Sequence, residues 1–164
     1  MKWLLSAALL LGLGLGVILL APSAAARGPV PIIPGRDSCD RCHMPVTAGR
    51  AGGERIDAQG RRATYDDVGC LLLAIWAAHD ATPEAFVEDH RSGVLIPLLG
   101  ATFVRGELPT PMGYGVLAFR EPQAAAAFAG EHHAEVATLE DLLRDRERFS
   151  ASRLHTENER QERP

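Results

Sequence analysis

The sequence lacks the features of several common protein classes. Its 17 lysine and arginine residues are scattered among 21 aspartate and glutamate residues, which leaves a formal charge of −4. A nucleic-acid-binding domain carries a clustered basic face, so no nucleic-acid partner is expected. A chain of 164 residues is too short for a large multidomain enzyme. Nothing in it suggests a hydrolase or a transferase, so we predict a protein that is not an enzyme and has no catalytic residues.

The first 26 residues are typical of an export signal. Lys2 precedes an apolar run over residues 3–21, and residues 22–26 place small side chains where signal peptidase requires them. We therefore predict cleavage after Ala26 and a periplasmic or otherwise exported protein. No cysteine lies near that point, so a lipoprotein anchor is not supported. Membrane contact is expected only if the apolar segment stays uncleaved.

Composition divides the remaining chain into three parts. Residues 27–36 contain three prolines and two glycines, which predicts an extended linker without regular structure. Residues 37–148 carry periodic apolar patterns and are predicted to form the folded domain. Residues 149–164 are mostly polar or charged and have no periodic apolar face, which predicts a disordered charged tail.

The folded part is predicted to be α+β, with two small ββαβ halves and a closing C-terminal helix. Alternating and short apolar patterns predict strands at 54–58, 62–66 and 85–89 in the first half. The same kind of pattern predicts strands at 101–105, 115–119 and 135–138 in the second half. The order strand, strand, helix, strand therefore occurs twice.

The predicted helices have recognisable first residues. Asp66 or Asp67 offers an N-cap for a helix that continues to about residue 79. This pair of carboxylates is expected to be a solvated helix cap. Pro122 opens an alanine-rich helix that continues to about residue 131. The closing helix is predicted at 139–148, with three residues facing inward: Leu139, Leu142 and Leu143.

Sulfur is scarce in the chain, yet it is concentrated in one stretch. Cys39, Cys42, His43 and Met44 place two thiols, an imidazole and a thioether within six residues. The two-residue spacing between the cysteines allows both sulfurs to bind one ion. Beyond the export segment the one other methionine is Met112, in a proline- and glycine-containing loop that favours its display. Thiolates and thioethers favour Cu(I) over harder ions, so we predict that these five residues form a Cu(I) site.

Three alternatives stay open at this stage. Residues 39–43 also match the C-x-x-C-H motif of covalent haem attachment, with Met112 as a second axial ligand. Against this, the chain is predicted to be mixed α+β, whereas a small cytochrome c is expected to be helical. A structural zinc site could use the same two cysteines with Cys70 and His43, and the two cysteines could instead form a disulfide. Cys70 itself lies in an apolar helix and is expected to be buried as a small hydrophobic residue.

Taken together, these stretches resemble the NosL family, accessory proteins of nitrous oxide reductase assembly. The resemblance covers residues 37–143. Its elements follow the family's order at 37–46, 65–71, 86–89, 101–104, 110–115 and 118–128. One such motif would be weak evidence, but the ordered set is fairly specific.

The resemblance implies a periplasmic Cu(I)-binding chaperone with two ββαβ parts. Such a protein delivers copper for the copper-sulfide centre of nitrous oxide reductase, so the implied partners are that enzyme and a copper donor protein. Carried over by position, the metal ligands match Cys39 or Cys42 together with Met44 and Met112. His43 stands where the family often has a glycine, which creates the haem-like motif.

Overall fold

A computed structural model of the protein describes residues 28–78 and 84–145. The predicted export segment and charged tail lie outside the described residues, and the domain boundaries stay predictions. Within the described ranges the chain forms two antiparallel sheets and three α-helices, which confirms the predicted α+β class. None of the helices in this part of the chain is long and apolar enough to cross a bilayer.

The first half is a four-stranded antiparallel sheet with one helix. Its elements are β1 (Gly53–Ile56), β2 (Arg62–Tyr65), α1 (Val68–Ala77), β3 (Glu84–Glu88) and β4 (Leu95–Pro97). The strand order is β2-β1-β3-β4, so the chain leaves the hairpin through α1 and returns to the free edge of β1. The fourth strand was not predicted. It has only three residues and ends at Pro97, a residue that is tolerated at a sheet edge.

The second half repeats this arrangement after a short 3₁₀ turn at Leu98–Gly100. Its elements are β5 (Thr102–Arg105), β6 (Val116–Phe119), α2 (Pro122–Glu131) and β7 (Glu135–Ala137). The order is β6-β5-β7, so the first strand of this half again lies between its hairpin partner and the strand that follows the helix. The two predicted ββαβ halves are therefore confirmed, and α2 has the predicted bounds.

The second sheet is covered on both faces, which explains why β6 is apolar at every position. Val116 and Ala118 join the main core cluster, which also contains residues of α1 and β3. Leu117 and Phe119 point to the other face and pack in a second cluster with α2. Helix α1 of the first half therefore packs against the sheet of the second half. The N-terminal end of α1 consequently lies between the two halves.

The closing helix α3 (Leu139–Arg144) begins with a capping box. The Thr138 hydroxyl accepts the backbone N–H of Asp141, and the Asp141 carboxylate accepts that of Thr138. Leu142 is buried as predicted, but Leu143 is 37% exposed, so its predicted inward orientation is wrong. It lies beside a surface groove instead of entering the core. The predicted continuation at 146–148 falls outside the described residues.

Candidate metal centre

Cys39 and Cys42 lie in one tight turn that precedes the first sheet. The Cys39 N–H donates to the Met44 carbonyl at 2.9 Å, and the His43 N–H donates to the Cys39 carbonyl at 2.8 Å. The turn requires a positive φ of 60° at His43, a conformation that glycine adopts most easily. The glycine that the NosL resemblance implies at this position therefore suits the backbone, and the histidine is held there by the two flanking hydrogen bonds.

Cys70 reaches the same place from the first turn of α1. The helix begins at the N-cap Asp67, whose carboxylate accepts the Gly69 N–H at 2.8 Å. Cys70 is 1% exposed, and the following Leu71 and Leu72 are fully buried in the main core. Because a buried leucine contributes roughly 1.5–3 kcal/mol, this part of the helix is firmly anchored. Cys70 therefore has little freedom to move away.

The three cysteine sulfurs form a compact cluster, which we call the three-thiol cluster. The Sγ atoms of Cys39, Cys42 and Cys70 all lie within 4.8 Å of one another. Two sulfurs that each bind one ion at about 2.3 Å lie no more than about 4.6 Å apart. The upper limit of 4.8 Å on the separations in the cluster is close to this value, so the three sulfurs are near enough to one another to bind a single soft metal ion.

Two neighbouring carboxylates hold the surrounding loops in place. Asp66 accepts both the backbone N–H of Thr47, at 2.7 Å, and its hydroxyl, at 3.2 Å, and so fixes the segment that follows the cysteine turn. Asp67 uses its second oxygen to accept the Met112 N–H at 3.0 Å. The loop of Met112 and the turn of Cys39 are thereby both attached to the start of α1.

The sequence prediction for these two carboxylates was partly wrong. Asp67 is an N-cap as expected, but Asp66 and Asp67 are 4% and 0% exposed, so the cap is buried rather than solvated. Burial follows from the packing of two loops over the start of α1. The same packing explains Gly69, where an added Cβ would lie 2.2 Å from the ring of Tyr114. A glycine is needed for this close approach.

The three thiols have different pKa values because they are hydrogen-bonded to one another and buried to different degrees. The Cys70 thiol donates to Cys39, and this bond, together with backbone N–H groups of Cys42, Asp66 and Arg41, lowers the pKa of Cys39 to about 4. Its donor role raises the pKa of Cys70, and burial also raises it. Burial raises the pKa of Cys42. Cys39 is therefore a thiolate at neutral pH, the form that binds metals.

An acid titration monitored by ultraviolet absorbance tests whether Cys39 is a thiolate. We expect the ultraviolet thiolate absorbance of the reduced protein to persist at neutral pH and to disappear as the pH falls through about 4. The Cys39→Ser variant should lack it. Because the folded pKa lies below that of the unfolded chain, ionisation stabilises the folded state. That contribution is full above the unfolded pKa and is lost as the pH falls through the folded one. A thiolate signal that appeared only near the ordinary thiol pKa would contradict the assignment.

The predicted ligands occupy different positions relative to the three-thiol cluster. Cys39 is buried in it and Cys42 lies half-buried at its edge. Met44 is 46% exposed, and His43 is exposed beside it. Met112 is half-buried and packs against the main core cluster, so it is less displayed than its loop suggested. The five-residue Cu(I) set stays a prediction.

Cys70 is the residue that the predicted copper set lacked. Its neighbours Val68, Leu71 and Leu72 are typical of a helix that packs in a core, and Cys70 is indeed buried there. Burial and metal binding give the same apolar sequence pattern, so the pattern could not separate them. The available signal was the cysteine count, since the whole chain has three and all three meet.

Comparison with known proteins gives one informative similarity. No protein-family model and no curated protein matches the sequence. The structure is similar to the crystal structure of the copper chaperone NosL from Shewanella denitrificans, with a TM-score of 0.60 and 19% sequence identity. The match covers 70% of this chain and 95% of that one. The chain therefore has a NosL-like fold, which confirms the fold that the resemblance implied.

Proposed function

We propose that the protein is a Cu(I) chaperone that works in an exported compartment. The observation that carries this proposal is the three-thiol cluster, placed within a fold similar to that of a copper chaperone. Soft sulfur ligands select Cu(I), which tolerates two or three of them. The ion is the cargo of the protein, since a chaperone must release what it binds.

The proposed site has an inner and an outer part. Cys39 and Cys70 hold the ion from the core side, and the half-buried Cys42 completes the three sulfurs. The exposed Met44 and the adjacent His43 offer neutral donors on the solvent side, where the ligands of a partner can approach. Cu(I) would thus be shielded from loss to solvent, while its release could proceed through the exposed side.

Metal analysis and an optical spectrum test the proposal. The reduced protein, exported in a host that can attach haem and purified without oxygen, should be colourless and carry about one Cu(I) per chain, as expected for one soft-ligand site. The Cys42→Ser variant should lose the ion. A strong Soret band with covalently held iron would instead assign residues 39–43 to haem. That outcome requires Cys39 to leave the core in which it is now buried.

Met112 supplies a separate test of the predicted ligand set. Met112→Leu preserves side-chain volume and removes only the sulfur, so the free energy of unfolding should change by less than about 1.5 kcal/mol. If the thioether binds Cu(I), the affinity for Cu(I) should fall. Titration against a Cu(I)-selective chelator measures this. An unchanged affinity would remove Met112 from the site and leave it as a packing residue.

We further propose nitrous oxide reductase as the recipient, with the copper-sulfide centre as the destination and a copper donor protein upstream. This part is supported by the NosL-like fold and by the ordered motifs of the sequence. With sulfide supplied equally in both cases, copper-free nitrous oxide reductase should regain activity faster with the Cu(I)-loaded protein than with chelated Cu(I) at the same free concentration. Equal rates would mean that the enzyme is not its client.

A further inference from the structure

The three thiols differ in their access to solvent. Cys39 and Cys70 are each 1% exposed, whereas Cys42 is half-buried. The chain has three cysteines, and all of them lie in the described ranges. Thiol–disulfide exchange requires a sulfur that an outside molecule can reach. Cys42 is therefore where a partner's sulfur can make contact.

Which two cysteines can form a disulfide depends on how freely the backbone that carries each of them can move. The three sulfurs lie within 4.8 Å, and a disulfide brings two of them to about 2.05 Å. Cys39 and Cys42 belong to the same short turn, so a change within that turn can join them. Cys70 is fixed at the start of α1 by the Asp67 cap and by the buried leucines that follow. Closure between Cys42 and Cys39 thus disturbs the fold least.

We propose that Cys42 is a thiol–disulfide exchange site through which a partner protein carrying a dithiol or disulfide opens and closes a Cys39–Cys42 bond. In the closing direction, the Cys42 sulfur attacks the partner's disulfide, and a mixed disulfide forms while one partner thiolate leaves. Cys39 then attacks the Cys42 sulfur, and the second partner thiolate leaves. Two thiols of this chain are oxidised and one disulfide of the partner is reduced to two thiols, so electrons and protons balance.

The consequence for copper rests on the proposed function. A closed Cys39–Cys42 bond leaves Cys70 as the one free thiol of the three-thiol cluster, so two of the three thiols to which the proposed function assigns the ion are lost. In an oxidising compartment, where the sequence predicts this protein, thiols tend to become disulfides. Copper loading would then require a dithiol reductase as a third partner, distinct from the copper donor and the recipient.

Glutathione disulfide is a suitable probe of the exchange. The reduced chain is treated with it, the remaining thiols are alkylated, and peptides are mapped by mass spectrometry. We expect two of the three thiols to be lost without a lasting adduct, with the free thiol on Cys70. Cys39→Ser should instead keep glutathione on Cys42, because the attacking second thiol is gone. Cys70→Ser is the matched control and should form the Cys39–Cys42 bond like the wild type. A bond to Cys70, or three thiols that stay free, would overturn the proposal.

A copper measurement separates this inference from the proposed function. Cu(I) binding is compared for the reduced chain, the oxidised chain and the oxidised chain treated with dithiothreitol, a small dithiol. We expect binding to be present, lost and restored in that order. If the reduced chain binds no Cu(I), the proposed function fails, while the thiol mapping still decides the exchange by itself. Undiminished Cu(I) binding after oxidation would overturn the proposal that the Cys39–Cys42 bond controls copper loading.

Discussion

Replacing Cys70 with serine is expected to lower the affinity for Cu(I) by more than about 100-fold. Loss of a group that only orients a metal ligand typically costs about 10–100-fold, and loss of a direct sulfur ligand should cost more. Serine keeps an O–H group that can still donate to Cys39, so the variant removes the soft donor and preserves the hydrogen bond. Competition with a Cu(I)-selective chelator, under reducing and oxygen-free conditions, measures the change.

A second substitution on α1 distinguishes loss of a ligand from loss of stability. Leu72→Ala removes a fully buried side chain from the same helix and should lower the free energy of unfolding by about 2–5 kcal/mol. It leaves all three sulfurs in place, so the folded variant should bind Cu(I) normally. Unchanged affinity in Cys70→Ser would leave the site to the sequence-predicted set of Cys39, Cys42, Met44 and Met112, with His43. Cys70 would then be a core residue only.

The fold could be predicted largely because its signals are local. Asp67 caps α1, Pro122 begins α2, and the apolar run of β6 marks a strand that is buried on both faces. Each of these features depends on residues close together in the sequence. The short strand β4 and the position of Leu143 were missed because they depend on what packs beside them. Three residues ending in a proline carry too little pattern to predict a strand.

The metal centre could be predicted only in part, for a related reason. The spacing of Cys39 and Cys42 predicts that they share a turn, whereas Cys70 was grouped with them only in the zinc alternative, because nothing near it in the sequence separates a metal ligand from a buried core residue. Their meeting depends on the packing of the cysteine turn on β2, where the Asp40 N–H donates to the Thr64 carbonyl at 2.8 Å. Strand β2 then leads directly to the start of α1. Such a contact is a property of the folded chain, and a single sequence does not record it.

The Asp67→Asn variant is expected to lower the free energy of unfolding by about 1–3 kcal/mol, the cost of leaving a buried polar group without a partner. Each oxygen of Asp67 accepts a different N–H group, one from Gly69 and one from Met112. An asparagine side chain has only one oxygen, so its NH₂ group must face one of these donors. The Met112 loop or the start of α1 should loosen. We expect Cu(I) affinity to fall by about 10-fold as Cys70 loses its fixed position.

The neighbouring Asp66→Asn variant is the matched control, because Asp66 accepts its hydrogen bonds on one carboxylate oxygen, whereas Asp67 uses both. Both bonds from Thr47 end on the same oxygen of Asp66, so the single oxygen of an asparagine can accept both. We therefore expect a smaller loss of stability and little change in Cu(I) affinity, although this residue too is buried. Chemical denaturation of both variants, followed by Cu(I) titration, makes the comparison. Equal losses in the two variants would mean that the negative charge, and not the two-oxygen geometry of Asp67, holds the loops around the three-thiol cluster.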